Sequence, residues 1–461
     1  MSLSSRFDPF IEGAPVCVMV RATLEYAFSR DALDAVFAKH AKLQYVRKLL
    51  FSALVGLMCQ VVCGIRRSIC EAYQQGTEKI SVSLTSVYNK LQGVEDDVSA
   101  ELVRCSVGRL KPVIQSLGAL RSPLLPGYRV RVLDGNHLAG TEHRLKELRR
   151  TRSGPLPGQA LAVYDPELEM IVDVFPCQDA HAQERSVVQQ VVTRMRAGEL
   201  WIADRNFCTT RMLFGVAGHG AFFLIRQHAS TLVGTLLGKR RACGKAPNGR
   251  LFEQEVELEN KLTGEKMIAR RVTLERTEAM ADGEREIHVL TNLPEKAASA
   301  AKVMELYRER WTIERAFGEL EREITSEINT LGYPKAALFG FCVALAAYNA
   351  MKVVKASLGA VHGRETVEKE VSGYYIASEV ASTYVGMLLA IPPRHWRVFE
   401  KMTPASLART LKDLAKEARL ERYRKHPRGA KKPRPAQTSG KKNHHVSTAR
   451  LLARRKAVKS P

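Results

Sequence analysis

The sequence predicts a mixed α/β protein in which helices cover a central sheet. Two observations lead to this class. After residue 124 three strand-like runs follow one another closely, "YRVRVLD", "QALAVYD" and "MIVDVFP". Helix-like and strand-like runs then alternate, in "AQERSVVQQVVTRMR", "LWIAD", "TRMLFGVAG" and "AFFLIR". A meander of strands followed by alternation is typical of a mixed sheet with helices packed on it.

Helical and basic segments surround the predicted sheet domain. Apolar residues recur at helical spacing in the first part of the chain, and short apolar helices follow the sheet. Gly- and Lys-rich turns with alternating runs such as "LFEQEVELE" predict a β-rich insertion inside the sheet domain. The predicted units are an α-helical N-terminal domain (1–123), a sheet domain (124–357) with its insertion (232–283), C-terminal helices (358–421) and a basic, mostly disordered tail (422–461) with a candidate short helix in "STARLLARRKAV".

The charge of the chain predicts a polyanionic partner. The formal net charge is +23, from 71 Lys and Arg against 48 Asp and Glu. Of this surplus, 14 charges lie in residues 422–461, which contain no acid, and the rest of the chain keeps +9. A surplus of this size favours nucleic acid, and double-stranded DNA first. A tail that only keeps the protein soluble is the alternative for residues 422–461.

Cysteine usage and hydropathy predict an intracellular protein that does not cross a membrane. The nine cysteines are scattered without a C-x2-C pair, which predicts reduced thiols and no zinc site. The N-terminus has no signal-like pattern. The longest apolar stretch, 336–351, has sixteen residues and contains Asn349, so we expect a buried helix. We therefore expect a cytoplasmic protein, associated with the nucleoid in a bacterial host.

A densely charged segment, "LYRERWTIERAFGELERE" at 306–323, follows the strand-like run "IHVLTNL". Placed on a helical wheel, it has an apolar side formed by Leu306, Ile313, Phe317 and Leu320. The opposite side carries Arg308, Glu309, Arg315, Glu319, Arg322 and Glu323, which we expect to be solvated. A third stripe borders the apolar side and consists of Tyr307, Arg310, Glu314 and Glu321. If the helix packs on the sheet, this stripe faces the edge of the sheet, where strands end.

Two aspartates are candidates to meet that stripe. Asp134 ends an apolar strand pattern, and Asp204 ends "LWIAD". Ionised carboxylates beside buried strands require compensation, and a divalent cation provides it. Three carboxylates from two strand ends and a helix suit two Mg²⁺ ions about 3.5–4 Å apart, with Mn²⁺ as the alternative. Taken singly, each aspartate is more typical of a turn or helix cap, and Glu314 of a solvated surface.

A resemblance supports the metal hypothesis. The segment "YRERWTIERAFGELE" resembles the Y-x2-R-x3-E-x6-K signature of DDE transposases from bacterial insertion sequences and matches it at Tyr307, Arg310 and Glu314. "LDGNHL" and "IADRNF" resemble the two aspartate motifs of that family, and "LTNL" and "AAYN" are also similar to it. The similarity covers about residues 125–355. It departs from the signature at its final lysine, which falls on Glu321.

The resemblance implies an RNase H-like fold. It implies that Asp134 on the first strand, Asp204 after the fourth and Glu314 on a later helix are the catalytic, metal-binding triad. It further implies hydrolysis at transposon ends and transfer of the freed 3′-hydroxyl to target DNA, by a homodimer that pairs two ends. Arg310 would contact phosphate near the scissile bond, with Tyr307 beside it. The other residues predicted to contact DNA are Trp311, Arg205, Arg315 and Arg322.

Two other functions remain open from the sequence. A descendant of a transposase that binds DNA without cutting it would keep the same charge, and a metal-dependent nuclease would cut without joining. Tyr307 and Trp311, taken singly, are also typical of aromatic side chains that pack a helix. "GTLLGK" at 234–239 lacks the spacing of a nucleotide-binding P-loop, and we interpret it as a basic turn.

Overall fold

The computed structural model describes residues 3–44, 48–75, 80–228, 232, 234–279, 283–426 and 445–459. In the described residues a nine-stranded sheet has the order β4-β3-β1-β5-β6-β10-β9-β8-β7, and β2 pairs separately with β11. The strands are β1 (Arg129–His137), β2 (Gly154–Leu156), β3 (Gln159–Asp165), β4 (Met170–Cys177), β5 (Glu199–Ala203), β6 (Phe222–Arg226), β7 (Thr235–Ala246), β8 (Gly249–Glu259), β9 (Lys266–Arg276), β10 (Glu286–Thr291) and β11 (His445–Ser447).

Helices precede, cover and follow the sheet. The helices before the sheet are α1 (Asp8–Gly13), α2 (Pro15–Ala27), α3 (Arg30–His40), α4 (Phe51–Val62), α5 (Ile69–Gln74), α6 (Leu84–Gly93) and α7 (Asp96–Leu117). The helices between or after the strands are α8 (Val188–Val192), α9 (Thr210–Gly218), α10 (Ala300–Arg308), α11 (Trp311–Glu323), α12 (Pro334–His362), α13 (Arg364–Glu370), α14 (Gly373–Ala390), α15 (Pro393–Glu400), α16 (Pro404–Lys416) and α17 (Thr448–Lys459).

The centre of the sheet confirms the predicted fold class. Strands β3 and β4 run antiparallel to β1 as a meander, whereas β5 and β6 run parallel to β1. This mixed sheet, covered by helices and preceded by a helical region, is RNase H-like. Among the strands of the large sheet β1 is the first in chain order and β5 the fourth, so the strand positions expected from the resemblance are present.

The two faces of the sheet pack against different helices. Val130 and Val132 of β1 belong to a large core that also contains residues from α2, α4, α7, α12 and α16. Leu133 of β1 belongs to a smaller core on the other face, together with residues of α8 and α9. Because side chains alternate along a strand, every second residue of β1 faces the large helical core. We call this side of the sheet the helical side.

Helix α12 is the central element of the helical side. Its apolar residues are buried from Pro334 to Leu358, against helices from both ends of the chain and against β4. Buried Asn349 clamps α12 to β4: its Oδ1 accepts from the Ile171 N–H at 3.0 Å, and its Nδ2 donates to the Ile171 carbonyl at 2.8 Å. By length and composition α12 could cross a membrane, but its most apolar window is 94% buried inside the protein. It is the buried helix that the sequence predicts.

The charged segment differs from its prediction as one continuous helix. Helix α10 ends at Arg308 and α11 begins at Trp311, with a tight turn in which the N–H groups of Glu309 and Arg310 bond to carbonyls three residues earlier. The predicted apolar side is retained across the turn, because Leu306, Ile313, Phe317 and Leu320 are all buried.

The predicted solvation of Glu319 and Glu323 is wrong. Glu319 Oε2 accepts hydrogen bonds from Lys352 Nζ at 2.6 Å and from Tyr348 Oη at 3.2 Å. Lys355 Nζ donates to buried Glu323 Oε1 at 2.6 Å. Burial alone would raise the pKa of Glu319, but the ammonium groups of Lys352 and Lys355 lower it below its ordinary value. These ion pairs fix α11 against α12.

Other parts of the chain also differ in detail from the prediction. The helix expected over 182–196 is a 3₁₀ turn at Glu184–Val187 followed by the short helix α8. "GTLLGK", interpreted as a basic turn, leads into and forms the start of exposed strand β7, which extends the sheet with β8 and β9. The predicted domain boundary at residue 357 falls inside α12, which ends at His362.

The tail is only partly described. Residues 427–444, within the predicted disordered tail, lie outside the described residues. Residues 445–459 are folded: β11 pairs in parallel with β2, and α17 covers the candidate short helix of the tail. All nine cysteines are free thiols, as predicted.

A buried ion network holds the end of β1 that lies away from Asp134. Arg131 Nε donates to Glu199 Oε1 at 3.2 Å, and Arg131 Nη1 donates to Asp165 Oδ2. All three side chains are buried, so one guanidinium neutralises two acids from the neighbouring strands β3 and β5. Removing that cation would take the ion-pair partner of buried Glu199 away and leave buried Asp165 with the more exposed Arg129.

We predict that Arg131→Met lowers the free energy of unfolding by about 3–5 kcal/mol, because it removes the charge that compensates two buried acids. Urea unfolding at pH 7 measures this loss. The matched control is Arg129→Met, since Arg129 also contacts Asp165, at 3.2 Å, but is more exposed. We expect the control to cost about 1 kcal/mol or less. Equal losses in the two variants would contradict the proposed role of the network.

Candidate active site

The two aspartates lie side by side at the ends of adjacent parallel strands. Leu133 of β1 pairs with Ala203 of β5, and the next residue in each chain segment is Asp134 or Asp204. Asp134 lies two residues after Val132, and Asp204 lies two residues after Ile202. Because side chains alternate along a strand, both aspartates point to the helical side, as Val132 and Ile202 do. The register of one strand pair therefore brings both acids to the same place on the same face.

Local backbone groups orient each aspartate. Asp134 Oδ1 accepts from the following N–H, that of Gly135, at 2.9 Å. Asp204 is the N-cap of the 3₁₀ turn Arg205–Phe207, and its Oδ1 accepts from the Asn206 N–H at 2.6 Å. These bonds use one oxygen of each carboxylate and leave the other available.

The third acid, Glu314 of α11, is linked to Asp134 by an arginine. Arg310, in the turn before α11, donates from Nη1 to Glu314 Oε1 at 2.5 Å and to Asp134 Oδ2 at 3.3 Å. Its guanidinium thus lies between the predicted first and third acids. The Arg310 guanidinium also stacks on the ring of Trp311, 4.5 Å from the centroid. The signature spacing of three and four residues puts these groups together across the helix turn.

The acids of the site influence one another strongly. Burial raises the pKa of Asp134 to about 7; the Gly135 N–H and the Arg310 cation oppose this rise, and the charges of Asp204 and Glu184 add to it. Burial also raises the pKa of the Tyr307 phenol to about 12, against the opposing effects of Arg310 and Arg226. Burial therefore disfavours the charged forms of Asp134 and Tyr307 more than the nearby arginines stabilise them.

The donor chemistry of the site fits a hard divalent cation. The side chains that converge are carboxylates, whose oxygens suit Mg²⁺ or Mn²⁺. The raised pKa of Asp134 indicates that a further positive charge would be stabilised there. Within the described ranges, no three acidic, His or Cys side chains stand close enough to share one ion. Arg310 occupies the space between Asp134 and Glu314 in this arrangement.

The other predicted DNA contacts are distributed more widely. Tyr307 lies beside Arg310 and within electrostatic range of Asp204. Trp311 is 57% exposed at the rim of the site. Arg205 points to Glu284, 4.0 Å away, rather than to the acids. Arg315 and Arg322 are exposed on α11, and Arg322 Nη1 lies back over Gly318. The structure thus brings Tyr307, Arg310 and Trp311 to the acids and leaves the other three away from them.

Two further charged residues lie near these acids, and the sequence analysis does not predict them as site residues. Arg226 ends β6 in the position next to Asp204, with its side chain paired to Glu284 at 2.5 Å. Glu184 approaches from the 3₁₀ turn before α8 and contacts Asn206. Arg226 had a recognisable signal, a charge that ends an apolar strand, as the aspartates do. Glu184 has no such signal in the sequence, because the pattern of its segment predicts an ordinary helix.

The nine-stranded mixed sheet and its covering helices are those of an RNase H-like fold. In a comparison with protein families, a family described as the transposase DDE domain matches residues 125–349. Residues 125–349 thus resemble a transposase DDE domain, which supports a DDE-type transposase. A search of curated proteins found no match. Transposases act on DNA, and the positive charge of the chain agrees with that partner.

We predict that Arg310→Gln destabilises the metal-free protein by about 1–2 kcal/mol, because Asp134 and partly exposed Glu314 lose their shared cation. Thermal unfolding in a chelator measures the loss. Saturating Mn²⁺ should reduce the difference from wild type, since the cation replaces the lost charge. The matched control is Arg315→Gln on the exposed side of the same helix, which we expect to behave as wild type. A deficit that Mn²⁺ leaves unchanged would contradict this account of Arg310.

Proposed function

We propose that this protein is an active transposase of an insertion sequence, which cuts transposon ends and joins the freed 3′-hydroxyl to target DNA. The observation that carries the proposal is the meeting of Asp134, Arg310 and Glu314, with Asp204 on the adjacent strand, inside a transposase DDE domain. Asp134, Asp204 and Glu314 act as the catalytic triad. The capping of strand ends alone does not explain why acids from three separate elements lie close to one another.

The proposed cofactor is a pair of divalent cations, Mg²⁺ or Mn²⁺. DDE transposase domains generally use divalent metals. When bound, such a pair activates the attacking oxygen and stabilises the leaving oxygen in a phosphodiester displacement. Asp134 and Asp204 each offer the carboxylate oxygen that is not bonded to backbone, and Glu314 offers its half-exposed carboxylate.

Arg310 has two successive tasks in this proposal. Before DNA binds, its guanidinium neutralises Asp134 and Glu314 and keeps two nearby carboxylates from repelling each other. Once the acids are neutralised by cations, the same guanidinium can pair with a phosphate of the DNA strand beside the scissile bond. Tyr307 and Trp311 flank it, so its phosphate contact would be made within an aromatic rim.

The proposed DNA path continues from the acids along the loop that follows β1. Leu138 begins this loop four residues after Asp134. The N–H of Ala139 donates a hydrogen bond to the side chain of Glu327, just beyond α11. Five exposed cations follow in it, Arg144, Lys146, Arg149, Arg150 and Arg152. The loop leads into β2, which carries β11 and the basic helix α17. Cations in this arrangement suit contacts to DNA phosphates.

The proposed assembly and location follow from the same reaction. A transposase that joins two ends to one target must hold two ends at once, for which we propose a homodimer in the DNA complex. We also propose that the protein works in the cytoplasm, on the nucleoid of a bacterial cell. The N-terminal helices and the β7–β9 strands are then the remaining surfaces available for recognising the end sequence.

We predict that wild-type protein with Mg²⁺ converts DNA carrying the element's own ends into strand-transfer product, and that Glu314→Gln, Asp134→Asn and Asp204→Asn each reduce it at least about 100-fold. Each variant removes a charged oxygen ligand while keeping the size of the side chain. Product analysis on sequencing gels measures this. The control is Glu305→Gln, which changes an exposed acid on α10 that pairs with Lys302; its yield should match wild type.

The alternatives give different products in the same assay. Nicked or broken ends without joined strands would favour a metal-dependent nuclease. A salt-sensitive shift of the end DNA without cleavage would favour a descendant that only binds DNA. Full activity in Glu314→Gln would remove Glu314 from the triad.

We predict that the affinity for Mn²⁺ decreases as the pH falls below 7. The pKa of Asp134 is about 7 in the metal-free site, and the cation binds the deprotonated carboxylate. Above pH 7 the carboxylate is already ionised, so the affinity should be constant. Below it, release of one proton should weaken apparent affinity about tenfold per pH unit. Calorimetric titration at pH 5.5–8.5 tests this, and Asp134→Asn should lose the slope near pH 7. Equal affinity at all these values would contradict the assignment.

A further inference from the structure

A fourth acid, Glu184, approaches the site from an element that the triad does not use. It is the first residue of the 3₁₀ turn Glu184–Val187, which connects the end of β4 to α8. Its side chain crosses to the ends of β1 and β5. Glu184 Oε2 accepts a hydrogen bond from Asn206 Nδ2 at 3.2 Å, and Oε1 lies 2.1 Å from the position that a Cβ on Gly135 would take.

Both contacts are made with residues that directly support the two aspartates. Gly135 follows Asp134 and donates its N–H to that carboxylate. Asn206 lies two residues after Asp204, donates its backbone N–H to Asp204, and donates its side-chain amide to Glu184. Asn206 therefore links the carboxylates of Asp204 and Glu184, and Gly135 leaves the space that the Glu184 carboxylate occupies. Glu184 connects the two strand ends that carry the acids.

The ordinary role of an acid at the start of a helix does not account for this position. Such an acid bonds to N–H groups of its own first turn, but no side chain caps this turn. In the part of the chain that the structure describes, no Lys, Arg or His forms an ion pair with Glu184. The hydrogen-bond donor that it meets is a neutral amide, so its negative charge adds to that of Asp134 and Asp204.

We propose that Glu184 is a fourth carboxylate of the active site. It is a positioning residue: through Gly135 and Asn206 it fixes Asp134 and Asp204 relative to each other, and its charge strengthens the hold of the site on divalent cations. This inference rests on the proposed function, because it assumes that the site binds such cations. It adds a residue to the site and leaves the roles of the triad unchanged.

The first test separates the charge of Glu184 from its shape. In Glu184→Gln the side-chain oxygen can still accept from Asn206, and the size is kept, but the negative charge is lost. Mn²⁺ binding to the full-length protein without DNA is measured from the electron paramagnetic resonance signal of free Mn²⁺. We expect Glu184→Gln to weaken binding about tenfold or more. Glu305→Gln removes one exposed acid from α10 and should bind as wild type.

The second test moves the carboxylate without removing it. In Gly135→Ala the new Cβ meets the flexible end of the Glu184 side chain, which can turn away. The φ of Gly135 is not positive, so alanine suits its backbone. We expect Gly135→Ala to weaken Mn²⁺ binding in the wild-type background and to have no further effect in Glu184→Ala. Independent, additive effects of the two substitutions would overturn the contact as the cause.

The outcomes separate this inference from the proposed function. If Asp134→Asn weakens Mn²⁺ binding while Glu184→Gln leaves it at the wild-type level, the role of Glu184 is overturned and the triad stands. If wild type binds no Mn²⁺, both the cation site and the role of Glu184 are overturned. Circular dichroism and thermal unfolding identify any variant that has lost its fold, and Glu184→Asp, which keeps the charge, should then recover part of the binding in a folded protein.

Discussion

The site depends on the register between β1 and β5. Leu133 opposite Ala203 places Asp134 and Asp204 at the same level, and the alternation of side chains sends both to the helical side. A slip of one residue would turn one aspartate toward the other face. The register is held by burial on both faces, through Val132 and Ile202 on one side and Leu133 with Ala203 on the other. The buried network around Arg131 locks the far end of the same strand pair.

The dense charge of the segment 306–323 has a structural explanation once α11 is placed on the sheet. One side contributes apolar residues such as Ile313 and Leu320 to the core. A second side uses Glu319 and Glu323 to attach α11 to lysines of α12, and α12 is itself clamped to β4 by Asn349. A third side presents Arg310 and Glu314 to Asp134. The helix is charged because two of its polar sides form specific contacts within the protein, and only the remaining side is left to water.

The sequence predicted the sheet, and it singled out Asp134, Arg310 and Glu314, which the structure brings together, because these features follow from local patterns. Apolar strands ended by an acid, and a Tyr-Arg-Glu spacing that matches helical geometry, are visible in single segments. What the sequence did not predict depends on contacts between distant segments. Lys352 and Lys355 bind acids about thirty residues earlier. The break at Glu309 is not marked by Gly or Pro. Strand β11 forms only by pairing with β2. The position of Glu184 in the site is apparent only when Gly135 and Asn206 lie beside it.

The charges of the site explain why cation binding and DNA binding should be coupled. Arg310 is shared by Asp134 and Glu314, the charges of Asp204 and Glu184 act on Asp134, and nearby Arg226 is paired with Glu284. A DNA phosphate that approaches these carboxylates is repelled by them. In the proposed mechanism, bound divalent cations would remove that repulsion and would free Arg310 from Asp134 and Glu314. Its guanidinium, which stacks on exposed Trp311, would then be the group available to a phosphate.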